Sequence, residues 1–328
     1  MKIALITVTE NGQILAKSIS RELEEDPTVI KVDIFHKNVK ETLKNIFLYY
    51  DCIVGIMATG IIVRNICSLL KSKENDPAVL VIDERGKHVI SLVSGHLGGG
   101  NEFSVKIASI IHGESVITTA TDINNKFGVD TLARKYYLTI NNVSKIKIIN
   151  SALLRNESVE ITFNNKFDFL RKDLDRSYNK ILTESNTLSV IKGDDIIELY
   201  PRKIVVGIGS RKNIDSETVL KAVKSALKIL DLPIKRIDSL ATGQMKQNER
   251  GIIDAASKLN IPLEIIPEES LKNFYNPDLT ASDFVMEKFG VMGVCEPASL
   301  LSAGNDSTLI LRKTAYNGVT VAVAVSKN

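Results

Sequence analysis

Short apolar runs alternate with helical patterns over residues 1–140, and this rhythm narrows the fold more than any other feature. "KIALITV", "VIKVDIF", "CIVGIM", "AVLVID", "HVISLV" and "SVITTAT" read as strands. Amphipathic stretches near 13–24, 39–48, 61–71 and 101–112 read as helices. Such alternation builds crossover units, so residues 1–140 are expected to form an α/β domain on a mostly parallel sheet covered on both faces. Only "ERG" separates the fourth and fifth runs, and it reads as a turn. Residues 141–202 break the rhythm with short strands and polar turns, as expected of a small middle strand-containing module. It restarts at "KIVVGIGS", and residues 203–328 are expected to form a C-terminal α/β domain. Asp215 or Ser216 is expected to cap a helix near 216–230, and Ser282 one near 283–289. "CEPASLLSAG" opens another helix, with Pro297 in its first turn and Gly304 past its end. The chain closes on a hairpin turning at Asn317-Gly318, a type I′ pair.

Composition then removes whole classes of function. A net charge of +3 and the absence of Trp argue against a nucleic-acid partner, which needs a concentrated basic face and stacking aromatics. No apolar run reaches the ~18–20 residues of a membrane span. The opening "MKIALITVTENG" is broken by Thr7, Thr9, Glu10 and Asn11, so it reads as the first strand of a cytoplasmic protein rather than a signal peptide. Cys52, Cys67 and Cys295 lack metal-ligand spacing, which argues against a disulfide framework or structural zinc; Cys52 and Cys67 are expected to be buried. "VGIGSR" has Lys212 where a dinucleotide fingerprint needs its third glycine, and no phosphate-binding P-loop occurs.

Three polar strand ends remain as candidates for chemistry. In "SLVSGHLGGGNEFS", Gly95, Gly98, Gly99 and Gly100 surround His96 just before a helix that starts near Asn101 and Glu102. At a sheet's carboxyl edge such glycines let backbone N–H groups approach a ligand, and the imidazole can move a proton near neutral pH. A plain loop histidine, and a Glu102 that merely offsets the helix dipole, are the simpler alternatives. "GIMATGIIVRNI" ends a strand at Thr59 and Gly60 and places Arg64 in the next helix, within reach of a carboxylate or simply solvated. "ITTATD" contributes Thr118, Thr119, Thr121 and Asp122 as a pocket wall or as a capping cluster. Arg211 follows the C-terminal glycine turn and is a candidate carboxylate partner. Cys295 and Glu296 begin a helix, with Cys295 read as a packing residue before a nucleophile.

The segments "MATGIIVRNI", "DPAVLVIDERGKHVISLVSGHLGGGNE", "VITTATD", "VGIGSRK", "FGVMGVCEPASLLSAG" and "GVTVAVAV", in this order, resemble the cobalt-precorrin-5A hydrolase family of anaerobic cobalamin biosynthesis. The resemblance runs from about residue 45 to the end, and more loosely over the first strand and helix. It implies an enzyme that opens the δ-lactone of a cobalt-bearing contracted tetrapyrrole and releases acetaldehyde, giving cobalt-precorrin-5B. The C-terminal region also resembles a stand-alone protein of the aerobic cobalamin pathway, which implies corrinoid binding there. Two departures stand out. "SLATGQMKQNERGI" keeps only Lys246, Glu249 and Gly251 of the family pattern, and Ser210 stands where a cysteine is often found.

Under that resemblance His96 is the expected base that activates water; Glu102 would need a raised pKa to do so, or would orient the ring instead. Backbone N–H groups of Gly98–Gly100 are the expected oxyanion donors. Thr59, Gly60, Arg64, Gly95, Asn101, Thr119, Asp122, Arg211 and Glu296 are the expected substrate contacts. No metal site or protein-bound cofactor is expected, since cobalt arrives inside the substrate; neighbouring enzymes of the pathway are the further partners expected. A tetrapyrrole carrier without catalysis is the alternative, and a doubly wound sugar-phosphate or nucleotide enzyme the weaker one.

Overall fold

The computed structural model describes residues 1–72, 75–175, 177–279, 286–287 and 290–327. Ser282, expected to cap a helix, lies outside the described residues. Among the described residues the chain is a mixed α/β protein with three sheets. It divides into two compact units, Met1–Asp26 with Lys31–Tyr200, and Pro27–Ile30 with Pro201–Asn328.

The first unit carries two sheets. Six strands form the first: β1 (Lys2–Thr7), β2 (Lys31–His36), β3 (Cys52–Ile56), β4 (Ala78–Ile82), β5 (His88–Val93) and β6 (Glu114–Val116), in the order β2-β1-β3-β4-β5-β6. Helices α1 (Glu10–Glu25), α2 (Val39–Ile46), α3 (Thr59–Ile66) and α4 (Gly100–Ile111) connect them. β1, β3 and β4 are buried along almost their whole length, which is why they read as unbroken apolar runs rather than alternating ones. The pairs β1–β2, β1–β3 and β3–β4 are parallel. β5 returns antiparallel to β4, because the connection from Asp83 to Lys87 is too short for a crossover. β6 then runs parallel to β5.

Beyond β6 come two short helices, α5 (Ala120–Ile123) and α6 (Val129–Lys135). The second sheet follows: β7 (Leu138–Ile140), β8 (Glu160–Phe163), β9 (Asn179–Leu182), β10 (Leu188–Lys192) and β11 (Asp195–Pro201), in the order β7-β11-β10-β8-β9. Its helix α7 (Ile146–Leu154) buries Ile149, Ala152 and Leu153.

The second unit holds β12 (Ile204–Ser210), β13 (Ser239–Gly243), β14 (Leu263–Ile266), β15 (Thr308–Tyr316) and β16 (Val319–Val325), in the order β14-β13-β12-β16-β15. Asp215 caps the helix Ser216–Ile229 by accepting from the Thr218 N–H. Asn317 and Gly318 both take positive φ, as the type I′ turn between β15 and β16 requires. The helix Cys295–Ala303 stops at Gly304, whose φ of 101° suits glycine alone. Cys52 and Cys295 are buried; Cys67 is exposed, contrary to expectation, because it sits just past α3 on the outward side of that helix.

Candidate active site

Strand direction decides which strand ends meet. Because β5 runs antiparallel to β4, the glycine loop after Val93 leaves the sheet at the edge where β1, β3 and β4 begin. The stretch after β6 leaves at the same edge. Thr59, Gly60 and Arg64 follow β3 and lie at the opposite edge. The three polar strand ends therefore do not share one pocket, and the expectation that the His96 loop sits at the sheet's carboxyl edge is corrected. Thr59 lines a separate cavity of about 530 Å³, and Gly60 and Arg64 are exposed beside it.

At the His96 edge a compact hydrogen-bonded cluster forms. Nδ1 of His96 lies 2.7 Å from Asp130 Oδ2, and Nε2 lies 2.6 Å from Asp122 Oδ2. Thr121 Oγ1 is 3.1 Å from Nε2. Asp122 comes from α5 and Asp130 from the first turn of α6, so the ring is clasped by two consecutive short helices. Burial opposes charge on the ring, but the hydrogen bonds and charge of Asp130, then those of Asp122, outweigh it and raise its pKa to about 9. The imidazole is therefore cationic near neutral pH and donates from both nitrogens. Burial likewise pushes the Asp130 carboxyl up, but His96 and then Asn150 overcome this and hold it below the ordinary carboxylate range. Asp122 is the open end of the trio: its side chain is 35% exposed, against 12% for His96 and 13% for Asp130.

The surrounding residues hold this arrangement. Buried Asn101 donates from Nδ2 to Thr119 Oγ1 at 3.0 Å and to Asp122 Oδ2 at 2.9 Å. Ser104 Oγ donates to the Asn101 carbonyl at 2.7 Å. Arg134, one helical turn beyond Asp130, donates to the Leu97 carbonyl at 3.1 Å and to Glu102 Oε2 at 3.2 Å. Glu102 is thus turned to Arg134 on the surface, with its side chain 63% exposed. The carboxylate at Nδ1 of the ring is Asp130, and not Glu102, which was expected to orient it.

The glycines serve packing more than ligand approach. A Cβ on Gly95 would meet Asn101 Oδ1 at 2.5 Å, and one on Gly99 would enter the Arg134 guanidinium. Gly99 also has a φ of +78°, where a side chain is strained. The Gly99 N–H donates to the His96 carbonyl and the Gly100 N–H to the Ser94 carbonyl. Those two of the three expected oxyanion donors are already used within the loop.

In the second unit, the ends of β12 and β13 and the start of β16 border a cavity of about 1210 Å³. Arg211, Lys212, Lys246, Arg250 and Lys313 line it, with Glu249 as the one acidic group among its lining residues. Glu249 is itself held by Lys246 at 3.7 Å and accepts from the Ile214 N–H at 3.2 Å. Cys295 also borders the cavity, but burial pushes its thiol up to about 12, so it is no nucleophile at neutral pH. Glu296, expected to touch substrate, is 2% exposed and accepts from the Lys313 N–H at 2.7 Å. Buried at the helix start and bonded to the backbone of β15, it is a packing group.

Asp130 was not singled out from sequence. The signal for it lies in "VDTLARK": Asp130 and Arg134 stand four apart and therefore on one helix face, aimed at the same loop.

The family model "Cobalamin synthesis G N-terminal" matches residues 41–122, and "Cobalamin synthesis G C-terminus" matches residues 204–324. A protein of Methanocaldococcus jannaschii named probable cobalt-precorrin-5A hydrolase is 36% identical, over 99% of each chain. The cobalt-precorrin-5A hydrolase of Salmonella typhimurium is 32% identical, over 99% of this chain and 97% of its own. The crystal structure of a cobalamin biosynthesis protein G homologue from Sulfolobus solfataricus superposes with a TM-score of 0.60 at 27% identity, covering 99% of this chain and 97% of that one. Matches at both ends of the chain, and identity sustained across its whole length, make it a member of the cobalt-precorrin-5A hydrolase family.

Proposed function

We propose that this chain hydrolyses the δ-lactone of cobalt-precorrin-5A and releases acetaldehyde, giving cobalt-precorrin-5B, with Asp122, His96 and Asp130 as its proton-transfer centre. The observation that carries this reading is the imidazole held between two carboxylates at 2.6 and 2.7 Å, one of them open to solvent. With its ring protonated the trio has a net charge of −1 and can accept one further proton. Asp122, the exposed member, takes that proton, while His96 and Asp130 hold it in place.

In the first step water adds to the lactone carbonyl and its proton passes to Asp122. The tetrahedral centre collapses, the C–O bond of the ring ester breaks, and the departing alkoxide recovers the proton. In the second step the same carboxylate takes the hydroxyl proton. The C–O bond becomes a carbonyl, the bond to the macrocycle breaks, and its electron pair enters the conjugated ring system. Acetaldehyde leaves, and the proton returns to the macrocycle. One base therefore serves both steps, and cobalt enters and leaves as part of the substrate.

The cavity of the second unit supports binding of the carboxylate-rich macrocycle. Five cationic side chains around about 1210 Å³ suit several carboxylates spread over a large ring, and Arg211 can meet one of them bidentately. The carboxylate in that lining, Glu249, is already held by Lys246 and the Ile214 N–H, which favours a binding role there. Incubating the protein with cobalt-precorrin-5A and trapping the aldehyde tests the reading. One acetaldehyde per cobalt-precorrin-5B is expected; tight binding with no aldehyde contradicts it and leaves a carrier.

A further inference from the structure

Helix α7, which packs on the second sheet of the first unit, supports the His96 centre. Asn150 projects from α7 and uses both ends of its amide. Its Nδ2 donates to Asp130 Oδ1 at 2.9 Å, and its Oδ1 accepts from the Val129 N–H at 3.0 Å. Asp130 Oδ1 also accepts from the Thr131 N–H at 3.1 Å, leaving Oδ2 directed to His96. A Cβ on Gly128 would meet Asp130 Oδ1 at 2.7 Å and Asn150 Nδ2 at 3.0 Å, so the backbone itself closes around this contact. The chain just before α6 is pinned from the same side. The Phe127 N–H donates to Ser177 Oγ at 2.9 Å, and buried Tyr178 donates from its hydroxyl to the Phe127 carbonyl at 2.8 Å.

We infer that Asn150 is a positioning residue for the reaction, fixing the Asp130 carboxylate and through it the orientation and charge of the His96 ring. The inference rests on the proposed role of His96, and it gives the middle module a part in the chemistry, since that module presents one amide to the proton-transfer centre. A helix-capping role alone would use only the Oδ1 bond to Val129. The Nδ2 bond to a carboxylate that already holds an imidazolium is the additional feature, and it chooses which oxygen faces the ring. The charged groups facing the centre are Asp122 from α5, Asp130 from α6, and Arg134, which reaches the Leu97 carbonyl and Glu102.

Two variants separate the roles. Asn150→Asp keeps an acceptor for Val129 but removes the donor and adds a negative charge; Asn150→Ala removes both bonds. Acetaldehyde release from cobalt-precorrin-5A is measured as kcat and KM, and the His96 ring is titrated by NMR in the free protein. Both variants are expected to lower kcat about 10–100-fold, as loss of a supporting hydrogen bond commonly does, with KM nearly unchanged. The His96 midpoint is expected to move down in Asn150→Ala and up in Asn150→Asp. Wild-type kcat and an unmoved midpoint in both, with only a lower Tm, would overturn the inference. His96→Ala is run beside them: wild-type aldehyde release by that variant defeats the parent reading, whereas its collapse alongside fully active Asn150 variants defeats the role of Asn150 alone.

Discussion

Nδ1 of His96 lies 2.7 Å from Oδ2 of Asp130, although 34 positions separate the two residues in the chain. The contact gives the ring its charge and its orientation together. Asp130→Asn keeps the shape and removes the charge. It is expected to lower kcat for acetaldehyde release by about 10²–10⁴-fold, with the His96 midpoint falling toward its ordinary value near ~6.5. Steady-state kinetics and a ring titration by NMR check both parts.

The same contact sets a pH dependence of stability. The folded pKa of His96 is raised to about 9, so its contribution is complete below the unfolded value of ~6.5 and is lost as pH rises through about 9. Asp130 is depressed, so its contribution is complete above the unfolded value of ~4 and is lost as pH falls through its folded value. The pair therefore stabilises most between about pH 4 and 6.5. Thermal melts of wild type and His96→Gln should differ most in that window, and the gap should narrow toward pH 10. A gap that widens on the alkaline side contradicts the assignment.

Gly99 ties the loop to α6. Its φ of +78° and the Arg134 guanidinium lying where a Cβ would go make Gly99→Ala costly. Destabilisation of about 1–3 kcal/mol is expected from the backbone strain alone, with Arg134 displaced from the Leu97 carbonyl. Urea denaturation gives the first quantity and a crystal structure of the variant the second.

Arg211 lies in the cavity of the other unit, beside Lys212 and Lys313. Arg211→Glu should raise KM for the macrocycle about 10–100-fold while leaving kcat near wild type, since a charge-assisted bond contributes about 1.5–3 kcal/mol and each 1.4 kcal/mol is about tenfold. The wild-type affinity should also weaken as salt is raised. An unchanged KM at low salt would remove this cavity from substrate binding.

Much of the fold was legible because its physics is local. Buried parallel strands show as apolar runs, Asp215 as a cap, and Asn317-Gly318 as a turn with positive φ. The site was only half legible. His96, Asn101, Thr119 and Asp122 do gather, because β5 and β6 run the same way. Thr59 and Arg64 do not join them: the turn at "ERG" reverses β5, and that moves the ends of β5 and β6 to the other edge of the sheet. Asp130 and Asn150 escaped notice because they lie in ordinary helical patterns. Their meaning is a tertiary contact, visible only once α6 and α7 are packed.

The most direct test of the account is single-turnover acetaldehyde release from cobalt-precorrin-5A by His96→Ala beside wild type. A loss of about 10²–10⁴-fold with substrate binding retained is the predicted result. Release at the wild-type rate would contradict it and move the chemistry away from the carboxylate-clasped imidazole.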